Sequence, residues 1–340
     1  MKKVLITGSA GFIGYHLTKA LLIENYEVTG IDNLNNYYDP SLKKARLEEI
    51  NKYIDIENIN PNNYKFIKLD LLDDNGLTDI FKNGFDIVIN LAAQAGVRYS
   101  IENPKKYVDS NLEGFVNILE CCRHSSIDHL IFASSSSVYG MNSKQPFSEN
   151  DTTDNPISLY AATKKSNEVM AHSYSYLFNI PISGLRFFTV YGPYGRPDMA
   201  YYKFTKAIDS GEAINVYNNG DMERDFTYID DIIRGIMKLL LKPPFKKITD
   251  DHSASAAFEI FNIGNNEPIS LRKFISSIEN ALGKKALENL KPMQDGDVVS
   301  TYADIDKIKK YCGFIPSTSI EEGMNNFVEW YKKYMDTKKT

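Results

Sequence analysis

Residues 4–6 form a short apolar run that leads directly into Thr7-Gly8-Ser9-Ala10-Gly11-Phe12-Ile13-Gly14. Glycines at three-residue intervals, between a strand-like run and an amphipathic stretch, leave few folds open. Gly8 permits a tight turn, Gly11 lets a ligand approach the backbone, and Gly14 lets the next helix lie close to a sheet. Further apolar runs at 28–31, 66–69, 87–91 and 130–133 read as buried strands with helical patterns between them. That alternation predicts an α/β fold, a doubly wound parallel sheet with helices on both faces.

One helix is well marked. Asn103 is placed to cap it, Pro104 fits its first turn, and Tyr107, Val108, Leu112, Phe115, Ile118, Leu119 and Cys122 give an apolar stripe. Residues 33–64 are different: an insertion with Tyr37, Tyr38, Asp39-Pro40 and many asparagines, read as a loop plus a short helix near 42–50. After about residue 190 the alternation fades and turn signals crowd in, such as Gly192-Pro193 and Asn218-Asn219-Gly220. A smaller C-terminal α/β lobe is expected over 191–340, interleaved with the first unit of 1–190. Residues 225–265 are expected to rejoin that unit, with Phe258–Ile263 as a returning strand.

The formal charge of −5 and pI near 5.7 disfavour nucleic acid as a partner, since phosphate backbones demand a basic surface. Three cysteines, Cys121, Cys122 and Cys312, make no disulfide framework, and the five histidines show no metal-ligand spacing. No run approaches the roughly 18 apolar residues of a membrane span. A soluble cytoplasmic protein without a metal site or membrane partner is expected.

The helix opened by Phe12, Ile13 and Gly14 offers free N–H groups and a positive dipole end to a pyrophosphate. Asp32 ends the second strand, 18 residues after Gly14. An acid there accepts hydrogen bonds from an adenosine ribose and repels a 2′-phosphate, so NAD is favoured over NADP. Asn33 follows it, Asp70 and Leu71 follow the third strand, and Leu91, Ala92 and Ala93 follow the fourth with small side chains beside the cofactor. Asn111 is either a satisfied core group or a cofactor contact.

Four hydroxyls, Ser134 to Ser137, follow the fifth strand, at the carboxyl end where ligands bind in such sheets. Tyr160 and Lys164 lie four apart, hence on one helix face. A phenol titrates near ~10, and a nearby ammonium lowers that value. The pair can then exchange a proton with an alcohol or carbonyl while a serine orients the same oxygen. Glycine motif, serine cluster and Y-x-x-x-K in this order resemble the extended short-chain dehydrogenase/reductase superfamily, whose cofactor domain is Rossmann-type.

The similarity extends over nearly the whole chain. Asp32-Asn33-Leu34-Asn35-Asn36-Tyr37-Tyr38-Asp39, Ala95-Gly96-Val97-Arg98-Tyr99-Ser100, the run from Leu185 to Pro193, Gly195-Arg196-Pro197-Asp198-Met199-Ala200 and Pro292-Met293-Gln294-Asp295-Gly296-Asp297-Val298 resemble UDP-glucuronate 4-epimerases. Asp295 departs from the proline more usual there. The resemblance implies Tyr160 as acid/base, tuned by Lys164, with Ser135 as the third catalytic hydroxyl; the register within the serine run is open. It implies that Ser136, Ser137 and Thr189 meet the sugar carboxylate, that Arg98 and Arg196 hold the charged ligand, that Arg224 grips the UDP phosphates, and that Asp297 meets the uridine ribose. It further implies a homodimer through helices near 104–123 and 158–178.

The implied reaction oxidises the sugar at C4 with NAD, turns the bound 4-keto sugar, and reduces its other face. That ketone is β to the C6 carboxylate, so the site must also restrain loss of CO₂. A 4,6-dehydratase is disfavoured because its Asp-Glu pair is replaced by Ser136-Ser137. A UDP-glucose or UDP-N-acetylglucosamine 4-epimerase is the nearer rival, and a decarboxylating enzyme a weaker one. A non-catalytic dinucleotide sensor typically lacks the Tyr–Lys pair.

Overall fold

The structure is a computed structural model, and it describes residues 1–246, 255–293 and 299–338. Six strands, β1 (Lys3–Thr7), β2 (Glu27–Asp32), β3 (Tyr64–Lys68), β4 (Ile87–Asn90), β5 (His129–Ser135) and β6 (Ile182–Phe187), lie in one parallel sheet. Phe258–Ile263 adds a seventh strand beside β6, so the order is Phe258–Ile263, β6, β5, β4, β1, β2, β3. The α/β sheet is Rossmann-like, with apolar clusters on both faces. One cluster gathers Leu5, Val88, Phe115 and Phe132; the other runs from Val4 and Ile6 through Tyr191 to Phe226 and Phe327. The second cluster spans both halves of the chain, so the two lobes share one core. Each of these apolar side chains stabilises by roughly 1.5–3 kcal/mol on full burial.

The third strand starts two residues earlier than the apolar run suggested, because Tyr64 pairs with Val28. The insertion holds a longer helix than expected: α1 is Phe12–Ile23, and α2 spans Pro40–Ile56. Asp39 caps α2 by accepting from the Ser41 N–H, and Pro40 supplies the first turn. The marked helix near 104–123 is not continuous. Pro104–Tyr107 is a single α-turn, Val108–Glu113 a π-helical segment, and Gly114–Arg123 regular α-helix. Asn103 makes no side-chain cap. The wider π-turn shifts the stripe, leaving Val108 exposed and carrying Asn111 inward.

Beyond β6, Thr189–Tyr191, Glu223–Tyr228, Pro268–Ser270 and Ser300–Thr301 make a small mixed sheet. Ala213–Tyr217 and Leu287–Lys291 form a parallel pair. Buried Asp225 ties this lobe together: it accepts from the N–H groups of Asn265, Asn266 and Ala303 and from Thr227 Oγ1. Among the described residues no helix is long and apolar enough to cross a membrane. The three cysteines are unpaired thiols.

Candidate active site

A cavity of about 870 Å³ opens at the carboxyl ends of the strands, between the lobes. Its wall contains each site residue expected from the sequence except two. Asp297 lies outside the described residues. Asn111 is buried behind the wall. Its amide accepts from the Gln94 N–H at 2.7 Å and donates to the Gln94 carbonyl and Thr163 Oγ1. The π-segment turns it inward, and there it clamps the chain after β4 to the helix Leu159–Phe178.

The glycine turn has the shape of a cofactor cradle. Gly8 has φ +72°, and a Cβ on it would lie 2.8 Å from the Ala92 nitrogen; one on Gly14 would collide with the Gly8 carbonyl oxygen. Gly11 opens α1 without a side-chain cap, so the first N–H groups of that helix are available to phosphate. Asp32, at the end of β2, takes the Leu34 N–H and the Lys43 ammonium on one oxygen, Oδ1, at 2.8 and 3.2 Å. Asn33 donates to Asp70 Oδ2 at 2.8 Å, which joins the chain ends of β2 and β3. These residues fit the adenosine and pyrophosphate of NAD.

Tyr160 and Lys164 lie in the first turns of Leu159–Phe178, a helix capped by Ser158 accepting from the Ala161 N–H. Ser135 lines the same cavity, and it is the serine whose side chain bears on the Tyr160 phenol. Ser134 is used elsewhere, donating to Glu168 Oε1 at 2.6 Å. Burial raises the Tyr160 phenol above its usual range, and the Ser135 hydrogen bond and the charge of Arg196 pull it back. Lys164 lies one helical turn after Tyr160 and lines the same cavity. Its ammonium donates to the Ala133 carbonyl at 2.7 Å, and burial pushes it down to about 8.

Ser136 and Ser137 begin the 3₁₀ turn after β5, and Ser135 Oγ accepts from the Ser137 N–H. Thr189 lines the same cavity. Arg98 is exposed at the mouth, 5.9 Å from the Tyr217 ring of the second lobe. Arg224 stands at the rim, donating through Nη1 to the Glu223 and Val299 carbonyls.

Sequence reasoning missed several residues. Lys43 and Arg46 lie on the buried face of α2 among Leu42, Ile50 and Ile54. Arg46 is fully buried and donates to the carbonyls of Ala10 and Tyr194 and to Tyr38 Oη. It thereby joins the glycine turn to the turn that precedes Arg196. The signal was present: two cations at apolar-stripe spacing on a helix that otherwise turns its charges outward. Glu168 was also missed. It pairs with Arg186 of β6 through two 2.8 Å bonds, buried beneath the serines. Among the described residues no group of His, Cys, Asp and Glu is arranged to hold a metal ion.

Residues 4–264 match the NAD dependent epimerase/dehydratase family. The chain is 53% identical to Protein CapI of Staphylococcus aureus, covering 98% of this chain and 99% of that protein. It is 46% identical to a probable UDP-glucuronate 4-epimerase of Rhizobium meliloti, covering 97% and 96%. A solved structure of UDP-glucuronic acid 4-epimerase from Bacillus cereus, in complex with UDP-glucuronic acid and NAD, superposes with a TM-score of 0.85 at 35% identity, covering 98% and 99%.

Proposed function

The chain belongs to the NAD dependent epimerase/dehydratase family, and on that premise we propose that it interconverts UDP-glucuronate and UDP-galacturonate. The observation that carries this reading is one cavity lined by the glycine cradle, Ser135 and Tyr160, the hydroxyls of Ser136, Ser137 and Thr189, and Arg196. The name of the Rhizobium meliloti relative and the ligands of the Bacillus cereus structure support it.

NAD, when bound, supplies a reversible two-electron acceptor for C4 of the sugar. Gly8, Gly11 and the start of α1 hold its pyrophosphate, and Asp32 its adenosine ribose. Tyr160 accepts the C4 hydroxyl proton on oxidation and returns it on reduction. Lys164 tunes the phenol, Ser135 donates to or accepts from the same oxygen, and the charge of Arg196 adds to the stabilisation of the phenolate between the two steps. The 4-keto sugar turns within the cavity before the second step, which inverts C4. Ser136, Ser137 and Thr189 hold the C6 carboxylate so that its C–C bond lies away from the orientation that favours CO₂ loss. Arg98 and Arg196 help hold the charged ligand, Arg224 meets the UDP phosphates, and Asp297 the uridine ribose.

In this reading 1–190, rejoined by about 225–265, carries the cofactor, and 191–340 carries the UDP-sugar. The enzyme acts as a cytoplasmic homodimer that feeds glycan synthesis. Exposed Val108, Val169, Tyr176 and Leu177 on the helices assigned to the dimer support the pairing. The test is incubation of the purified protein with UDP-glucuronate, with and without added NAD, followed by chromatography of the sugar nucleotides. A mixture with UDP-galacturonate is expected. No conversion under either condition refutes the acidic-sugar assignment.

A further inference from the structure

Three side chains on the cavity wall form a closed set. Arg196 presents Nε and Nη2 side-on to Asp198 Oδ1 and Oδ2, at 3.0 and 2.5 Å. Tyr37 Oη donates to the same Asp198 Oδ2 at 3.1 Å. Two of the three come from one turn, whereas Tyr37 arrives from the insertion that follows Asp32. Its hydroxyl is admitted by a missing side chain: a Cβ on Gly96 would collide with it. Tyr107 fixes that slot by donating to the carbonyls of Ala95 and Gly96.

The chemistry of the set is directional. A guanidinium carries five donors in a rigid fork. Engaging one edge with a carboxylate fixes the plane of the fork and leaves the Nη1 end outside that pair. Compensating the charge lowers the cost of keeping an arginine in a half-closed cavity. Burial pushes the Tyr37 phenol up to about 12, so it remains a donor, while Arg196 and Tyr37 keep the Asp198 carboxyl below its usual range against its own burial. The orientation of Arg196 is therefore set by two residues that need not touch the sugar.

We propose that Tyr37 and Asp198 are specificity-determining positioning residues, holding Arg196 so that its remaining end reads an anionic C6 group on the sugar in preference to a neutral hydroxymethyl. This rests on the reading that Arg196 meets the charged ligand. Releasing Tyr37 lets the Asp198 carboxylate and its arginine turn together. Replacing Asp198 by its amide removes the charge that holds the fork edge-on. Either change penalises the acidic sugar selectively, because the neutral sugar and the UDP portion draw nothing from that end.

The experiment measures dissociation constants by calorimetry in a Tyr160→Phe background with NAD bound. Ligands are UDP-glucuronate, UDP-glucose and UDP, against further Tyr37→Phe, Asp198→Asn and Asp198→Glu changes. Loss of one charge-assisted contact corresponds to a weakening of about tenfold or more. That loss is expected for UDP-glucuronate in Tyr37→Phe and Asp198→Asn, with UDP-glucose and UDP unchanged within about twofold on the same scale, and with partial recovery in Asp198→Glu. Equal weakening of all three ligands, or of none, overturns the proposal. Retained NAD and an unchanged unfolding midpoint identify variants that fold, and Tyr37→Phe alone suffices if Asp198→Asn does not. Failure of the functional reading is separately visible, because the unsubstituted enzyme then makes no UDP-galacturonate.

Discussion

Replacing Glu168 by alanine removes the centre of a buried ionic group. Glu168 and Arg186 side chains are only 6% and 5% exposed, so water offers the stranded guanidinium little relief. Both bonds to Arg186 and the one from Ser134 are lost. Arg186 Nη1 has no hydrogen-bond partner even in the intact protein and rests over the Tyr139 ring, 4.8 Å from its centre to Cζ. An orphaned buried charge of this kind costs about 3–5 kcal/mol, and the stranded serine about 1 kcal/mol more. Native proteins are stable by roughly 5–15 kcal/mol, so the loss is a large share of the whole. Urea unfolding followed by the fluorescence of Trp330, the single tryptophan, measures it at fixed NAD concentration. The combined Glu168→Leu, Arg186→Met variant removes both charges and is expected to recover most of the loss. If Glu168→Ala costs less than about 1 kcal/mol, or if the double variant is no better, the account of this pair as mutual neutralisation is wrong.

Three other outcomes are expected. Tyr160→Phe abolishes epimerisation while bound NAD, read by its release on denaturation, is retained; residual turnover above about 1% argues for another acid/base. Gly14→Ala forces a Cβ against the Gly8 carbonyl oxygen, so the turn must shift and NAD retention falls by about tenfold or more in an equilibrium-dialysis assay. Lys164 is held at about 8 against an ordinary 10.5, so unfolding takes up a proton between those values and NAD-free stability rises with pH across that window by about 3 kcal/mol. The contribution is fully present above 10.5 and lost as pH falls through 8. Lys164→Met flattens that rise in denaturant titrations at matched pH.

What the sequence made legible was local. The strand–glycine–helix unit depends on neighbours within a few residues, and so does the shared face of Tyr160 and Lys164. Helix α2 ran longer than expected because Asp39-Pro40 is a strong start while the asparagines that follow are only weak stops. The π-segment was invisible because one extra residue in a turn leaves no compositional trace; it shows only as a stripe that slips phase after Tyr107. Lys43, Arg46 and Glu168 find their partners across long stretches of chain, so no window of sequence contains the pair. Lys164 and Arg196 were both singled out. That the Lys164 ammonium donates to the Ala133 carbonyl on β5 is a contact that periodicity cannot rank.

The strand Phe258–Ile263 has a consequence for how the protein is made. Until residue 263 has left the ribosome, β6 is an edge with one neighbour, and until residue 240 has done so α1 lacks the helix Ile229–Leu240 that packs on it. The nucleotide-binding half therefore waits on about half of the remaining translation before its sheet is complete. An open parallel edge is a template for pairing with another nascent chain. Polysomes carrying this message are a crowded place for such an edge, and a chain stalled between residues 190 and 258 is the form most exposed to chaperones and to its own copies.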